Sequence, residues 1–238
     1  MIKLDIFNGI TLVIPFFYCT FALYLNVMVK KMKEKYKKFY RDFLIDSILG
    51  GICISISGIV FLNVSGVIGS VLFAFGLLAI IHYRWCLYTG GAGFIFDFKQ
   101  FMWLLFVLFG NIVGCFLVGS SVKYTEPFLV EKVTNIINNR LMLEPLQCIL
   151  LSIGCGFIMT TAVKFARENK FLPLLFGVSV FIQSGFIHSI ADAFYISVLP
   201  FDYINEHFND LIVYYGLIVL GNFIGCNLVR ILKFDRTA

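Results

Sequence analysis

The chain has 238 residues, of which 60% are apolar and 14% are charged, and its formal net charge is +5. Soluble domains carry about a quarter charged residues, so this composition excludes an ordinary water-soluble domain. Several apolar runs reach the roughly 20 residues that a helix needs to cross a bilayer. Because the runs are continuous rather than alternating, they predict a polytopic all-α membrane protein and exclude a β-barrel.

Charge placement predicts the topology of the candidate spans. In chain order these spans are residues 6–29, 43–63, 66–95, 101–122, 144–166, 171–199 and 209–231. A dense basic run from Lys30 to Arg41 follows the first span, and the positive-inside rule places it in the cytoplasm. The same bias along the later connections puts the C-terminus in the cytoplasm of a cell-membrane protein. The positive charge is therefore placed by topology and does not indicate nucleic-acid binding.

Two parts of the chain are distinguished by this topology. Residues 1–40 form an N-terminal apolar helix with a basic cytoplasmic segment, and residues 41–238 form a six-helix domain. We expect residues 6–29 to be an extra span, although a helix lying at the membrane interface would share their composition. The seven cysteines are odd in number and contain no C-x-x-C pair, so neither a disulfide framework nor a metal site is predicted.

A six-residue pattern occurs twice in the six-helix domain. Gly-Asn-x-x-Gly-Cys spans Gly110–Cys115 and recurs at Gly221–Cys226. With three spans between the copies, the two halves enter the membrane in opposite directions. This predicts an inverted repeat of three plus three helices, an architecture common among transporters. Close helix packing explains the paired glycines but not the shared asparagine and cysteine.

The second span of each half is interrupted at a corresponding place. We predict breaks at Leu87–Gly93 and at Gly185–Asp192, where glycines and polar residues interrupt apolar runs. Irregular backbone at membrane depth is tolerated where it lines a cavity, and half-helix ends favour an anion. His188 and Asp192 are costly in such a segment, so they indicate a buried polar site or a water-accessible pathway.

At these breaks the chain resembles a known family. Gly185-Phe186-x-His188-Ser189-Ile190-Ala191 and Leu87-Tyr88-Thr89-Gly90 are similar to motifs of the formate/nitrite transporter family of pentameric, aquaporin-like small-anion channels. The resemblance covers roughly residues 40–232. It implies a homopentamer and a central pore histidine, His188, hydrogen-bonded to Thr89. The other pathway positions that it implies are Phe73, Leu77, Leu87, Tyr88, Phe181 and, near a family lysine of the outer vestibule, Arg140.

The chain departs from the family pattern at several central positions. Ile187 stands where the family has a glutamate, Asp192 where it has an asparagine, and Cys155-Gly156 where it has Cys-Asn. These differences leave the choice of anion open. They do not affect the predicted architecture.

The resemblance implies transport of small monovalent anions of weak acids, such as formate, nitrite or hydrosulfide. A dehydrated ion is costly in an apolar constriction, and protonation removes most of that cost. Histidine suits this role because its unperturbed pKa is about 6.5. We therefore expect a proton-linked pore without a cofactor. We expect Arg84 to pair with an acid such as Asp192 or Asp46, with a selectivity role as the alternative, and Asp192 either to tune His188 or to pack.

Two other function classes remain open. A neutral-solute channel of the water or glycerol type fits the architecture, but neither break carries the expected Asn-Pro-Ala. An intramembrane enzyme could use His188 and Asp192 as an acid–base pair at i, i+4. No nucleophile motif or metal-ligand set such as H-E-x-x-H accompanies them.

Overall fold

The computed structural model describes the backbone of residues 6–232 and the side chains of Lys30, Glu34 and residues 37–232. Within that range every element is a helix, which confirms the all-α prediction. The helices are α1 (Ile6–Val64), α2 (Gly66–Tyr83), α3 (Tyr88–Gly91), α4 (Phe98–Thr125), α5 (Pro127–Leu141), α6 (Pro145–Arg167), α7 (Leu172–Gln183), α8 (Ser189–Val198), α9 (Phe201–Glu206) and α10 (Phe208–Leu232), with a 3₁₀ turn at Ala92–Phe94.

The helices have the lengths expected of a protein that crosses the membrane several times. In the described part of the chain, five helical segments are long and apolar enough to span a bilayer. They are Lys37–Val64, Gly66–Tyr83, Phe98–Thr125, Pro145–Arg167 and Phe208–Leu232. Two further apolar helices, α7 and α8, are too short to span by themselves. They replace the single predicted span 171–199.

The chain divides into two compact units, Met1–Phe43 and Leu44–Ala238. In the first unit the backbone is helical from Ile6 onward, so the basic run is part of a helix and not a connection between spans. Lysine and glutamate are good helix formers, and no glycine or proline interrupts the run. The side chains of residues 6–29 lie outside the described set, so their role as a span stays a prediction, as do the domain roles of 1–40 and 41–238.

In the second unit, two helix pairs approach closely enough to exclude a side chain. A Cβ atom on Gly51 of α1 would collide with the backbone carbonyl of Asn111 on α4. A Cβ atom on Gly156 of α6 would collide with the carbonyl of Asn222 on α10 in the same way. Small residues at these contacts let the helix backbones approach, as is usual between membrane helices. The approach places each asparagine next to one of the helix breaks.

The connection between the predicted spans 101–122 and 144–166 contains a helix that our sequence analysis did not include. Pro127 occupies the first turn of α5, and Leu129, Val133 and Ile137 are buried. Their four-residue spacing is the pattern of a one-sided amphipathic helix and was readable from the sequence. This helix carries Arg140 toward α8.

The helix breaks are shorter and begin earlier than predicted. The backbone is non-helical at residues 84–87 and 184–188, and it resumes as α3 at Tyr88 and as α8 at Ser189. Two positive φ angles mark the departures, 59° at Arg84 and 71° at Gly185. The predicted ranges Leu87–Gly93 and Gly185–Asp192 were wrong at these ends because they followed the glycines and polar residues, which lie largely in the helical turns after each break.

Candidate functional site

Asn111 holds the first break from the neighbouring helix α4. Its Oδ1 accepts a hydrogen bond from the backbone N–H of Tyr88 at 2.9 Å. Its Nδ2 donates to the carbonyls of Ser47 at 2.6 Å and Cys86 at 2.9 Å. Asn111 is fully buried, so these bonds satisfy backbone groups that water cannot reach.

Asn222 does the same for the second break from helix α10. Its Oδ1 accepts the backbone N–H of Ser189 at 2.8 Å. Its Nδ2 donates to the carbonyls of Ser152 at 2.9 Å and Ile187 at 2.8 Å. The asparagine shared by the two copies of the repeat therefore stabilises a half-helix start in each half. The opposite orientation of the two halves stays a prediction.

The repeated cysteines connect each copy of the repeat to the break of the other half. Cys115 Sγ lies 3.4 Å from the carbonyl of Ile190, and Cys226 Sγ lies 3.5 Å from the carbonyl of Thr89. A thiol is a weak donor, so these contacts add little energy. They do show that each conserved element of the pattern touches a break.

Thr89 and His188 bring the two breaks together. Thr89 Oγ1 and His188 Nε2 lie 2.8 Å apart, in the arrangement that the family resemblance implies. His188 is also the N-cap of α8, and its Nδ1 accepts the backbone N–H of Ala191 at 3.1 Å. A neutral imidazole has one donor and one acceptor. Because Nδ1 accepts here, Nε2 carries the proton and donates it toward Thr89, so His188 is neutral in this geometry.

An apolar cavity lies on one side of His188. The ring of Phe181 stacks on the imidazole with centroids 5.8 Å apart, and Phe73 packs edge-on against Phe181 at 6.2 Å. Leu77 is buried on α2, the helix that packs against α7. The cavity has a volume of about 260 Å³, and its lining includes Phe73, Arg140, Phe181, His188, Asp192 and Tyr195.

Leu87 and Tyr88 lie at the first break and do not line this cavity. Leu87 is the N-cap position of α3, and both residues are buried. The Tyr88 hydroxyl donates to the carbonyl of Val219 at 3.1 Å. The structure therefore places Tyr88 in a contact between α3 and α10, and no item of geometry assigns it to the pathway.

Arg140 and Asp192 form a buried ion pair beside the cavity. Arg140 Nη1 donates to Asp192 Oδ1, and the Tyr214 hydroxyl donates to the same oxygen at 2.8 Å. The Arg140 guanidinium also lies over the ring of Tyr195, 5.6 Å from its centroid. The expectation that Arg84 pairs with Asp192 was therefore wrong. Arg84 is exposed at the end of α2, where its left-handed backbone turns the side chain away.

The segment after α3 is held by polar side chains from α6 and α10 that our sequence analysis did not include. Asn227 Nδ2 donates to the carbonyl of Ala92 at 3.0 Å, and Arg230 Nη1 donates to the carbonyl of Ile95. The Arg167 guanidinium lies 3.8 Å from the ring centroid of Phe94. Their basic residues served only the topology argument. Among the described residues, no group of three or more His, Cys, Asp or Glu side chains could hold a metal ion.

Solved structures provide the closest view of this arrangement in other proteins. One, described as a pentameric formate channel with formate bound, is 19% identical with a TM-score of 0.70, and the alignment covers 84% of this chain and 97% of that one. Another, described as an FNT family ion channel, is 17% identical with a TM-score of 0.68, and the coverage is 83% and 90%. At these identities the likeness concerns the fold. No curated protein matches the chain.

The family itself is identified by sequence. A sequence profile described as formate/nitrite transporter matches residues 23–234, which include both breaks, both copies of the repeat and the Thr89–His188 pair. Proteins of this family are transporters and channels. The chain is a multi-span membrane protein that belongs to the formate/nitrite transporter family.

Proposed function

We propose that this chain carries small monovalent anions of weak acids, such as formate, nitrite or hydrosulfide, along a pathway that passes His188. The observation that supports this most directly is the 2.8 Å contact between Thr89 Oγ1 and His188 Nε2, which joins two helix breaks at one point. Buried polar side chains are costly at membrane depth, and those that persist there usually serve a pathway. The apolar cavity beside His188 provides such a pathway.

The apolar side chains exclude hydrated ions, and His188 lowers the cost for the dehydrated anion. Phe73 and Phe181 form the apolar wall next to the imidazole, with Leu77 behind them. An anion that sheds its water there loses many kcal/mol of hydration unless it takes up a proton. In this mechanism Leu87 and Tyr88 form the constriction on the other side of His188, as the family resemblance implies.

Proton linkage follows from the two hydrogen bonds of the imidazole. If His188 gives its Nε2 proton to the anion, it must take up another proton at Nδ1. That nitrogen accepts the N–H of Ala191 at the start of α8, so proton uptake releases the cap. Each proton transfer is thereby coupled to a small movement at the second break.

The assembly and orientation complete the proposal. The chain forms a homopentamer in a cell membrane, as one of the similar solved structures is described as pentameric. Its two halves are related as an inverted repeat, and its C-terminus is cytoplasmic by the positive-inside rule. It acts by passage of solute and not by covalent chemistry.

The test is anion uptake by proteoliposomes that contain the full chain, measured with formate, nitrite and hydrosulfide at two pH values. We expect His188→Phe to lower the rate strongly and to change its pH dependence. The matched control is His207→Phe, because His207 ends α9, outside both breaks. An unchanged rate and an unchanged pH dependence in His188→Phe would contradict the role of the histidine. Glycerol uptake without anion uptake would favour a neutral-solute channel.

A further inference from the structure

The cavity beside His188 is lined by one positive and one negative side chain among its described lining residues, and the two are bound to each other. Arg140 comes from α5, and Asp192 comes from the first turn of α8. The Asp192 side chain is 1% exposed and the Arg140 side chain 21%, so their mutual attraction is only partly screened by water. The pair carries no net charge.

The remaining contacts reinforce the neutral state of this cavity. Tyr214 donates to Asp192 Oδ1, and the ring face of Tyr195 lies under the guanidinium. Asp192 Oδ2 is buried and accepts no hydrogen bond from the described residues. The negative charge is therefore not dispersed by further donors and stays available to offset Arg140. His188 adds no charge, because its Nδ1 accepts a backbone N–H.

A neutral ion pair acts on a passing anion differently from a single arginine. The field of a lone charge decreases slowly with distance, whereas the opposed fields of a close pair largely cancel. An anion that enters this cavity loses water and gains no net attraction. An anion that can take up a proton avoids that cost, and the conjugate base of a strong acid cannot.

Resting on the proposed function, we propose that Asp192 is a selectivity residue: by cancelling the charge of Arg140 in the cavity, it restricts passage to anions of weak acids and excludes permanently charged ones. Arg140 then serves to hold Asp192 and α8 in place and not to attract anions.

The experiment compares formate with nitrate, a small anion that stays charged at working pH, in proteoliposomes of the full chain. The readout is the ratio of the nitrate rate to the formate rate at one pH. Asp192→Asn leaves Arg140 uncompensated, and we expect the ratio to rise about tenfold, the order of magnitude for one unit charge a few ångströms from the path. Arg140→Gln leaves the carboxylate uncompensated, and the ratio falls.

A neutral pair separates this account from an anion-attracting arginine. Replacing a buried ion pair by apolar residues of similar volume is often tolerated, so Arg140→Met combined with Asp192→Leu provides a second test if the single variants do not fold. We expect its ratio to stay within about twofold of the wild type, since the net charge of the cavity is unchanged. An attracting arginine would instead give the same fall as Arg140→Gln.

The controls identify which proposal fails. Glu168 and Lys170 form an exposed ion pair between α6 and α7, and Glu168→Gln should leave the ratio unchanged. Absence of formate uptake by the wild type would overturn the proposed function. Formate uptake with a ratio that does not rise in Asp192→Asn, or that falls in the neutral pair, would overturn only the role of Asp192.

Discussion

The two helix breaks share a scaffold and differ in chemistry. Asn111 and Asn222 each accept one backbone N–H at the start of a half-helix and donate to two carbonyls. The first break then contributes a hydroxyl, Thr89, on a four-residue helix. The second contributes an imidazole that caps its own ten-residue helix and a carboxylate paired with Arg140. A repeated structural solution thus supports side chains that are not repeated.

The shared scaffold is broken most severely at the asparagines. Asn111→Leu and Asn222→Leu each leave three backbone groups without a partner in a buried site. At about 1–3 kcal/mol for each unsatisfied group, we expect each variant to lose roughly 3–6 kcal/mol of unfolding free energy. Chemical denaturation in detergent measures the loss, and Asn139→Leu on an exposed position of α5 is the control. A large loss in one variant and not in the other would show that the two breaks are not held equivalently.

The close helix contacts beneath the breaks should respond alike. Gly51→Ala and Gly156→Ala force a methyl group against backbone carbonyls that cannot rotate away. We expect about 3 kcal/mol of destabilisation for each, at the upper end of overpacking effects. Gly216 on α10 has no atom within 4 Å of the added Cβ, so Gly216→Ala is the matched control and should be neutral or slightly stabilising. Equal losses at Gly51 and Gly216 would point to helix propensity and not to the contact.

The chemistry that only the second break carries can be isolated with two tyrosines. Tyr214 donates to the Asp192 carboxylate, whereas Tyr88 donates to the neutral carbonyl of Val219. Hydrogen bonds to charged groups contribute more, so Tyr214→Phe should cost about 2 kcal/mol of unfolding free energy and Tyr88→Phe about 1 kcal/mol. The same denaturation assay compares them. The reverse order would indicate that Asp192 is not charged in the folded protein.

The contact between the two breaks should show the smallest effect, visible in transport. Thr89→Val removes the oxygen that faces His188 Nε2 and keeps the shape of the side chain. We expect the formate rate to fall about tenfold, equivalent to roughly 1.4 kcal/mol in the barrier. Thr89→Ser keeps the hydroxyl and should lose less. If the serine and valine variants lose equally, the methyl group and not the hydrogen bond is what matters at this position.

Much of the fold was predictable because the bilayer imposes strong constraints. Continuous apolar runs indicated the long helices, and the repeated Gly-Asn pattern marked the two helices that hold the breaks. The exact breaks could not be located, because glycines and polar residues, which guided the prediction, occur also in the turns that follow. Helix α5 was missed because its apolar face is narrow, with one buried residue in four. Its absence from the prediction left Arg140 without a defined position.

The sequence by itself determined the all-α membrane architecture, the positions of the two copies of the repeat, and His188 and Thr89 as the polar residues of interest. These features follow from local composition and short motifs. Only the tertiary structure decided that Asp192 pairs with Arg140 and not with Arg84, and that His188 caps its own helix. Both outcomes depend on which side chains the packing of α5, α8 and α10 brings within hydrogen-bonding distance, and no local pattern in the chain encodes that distance.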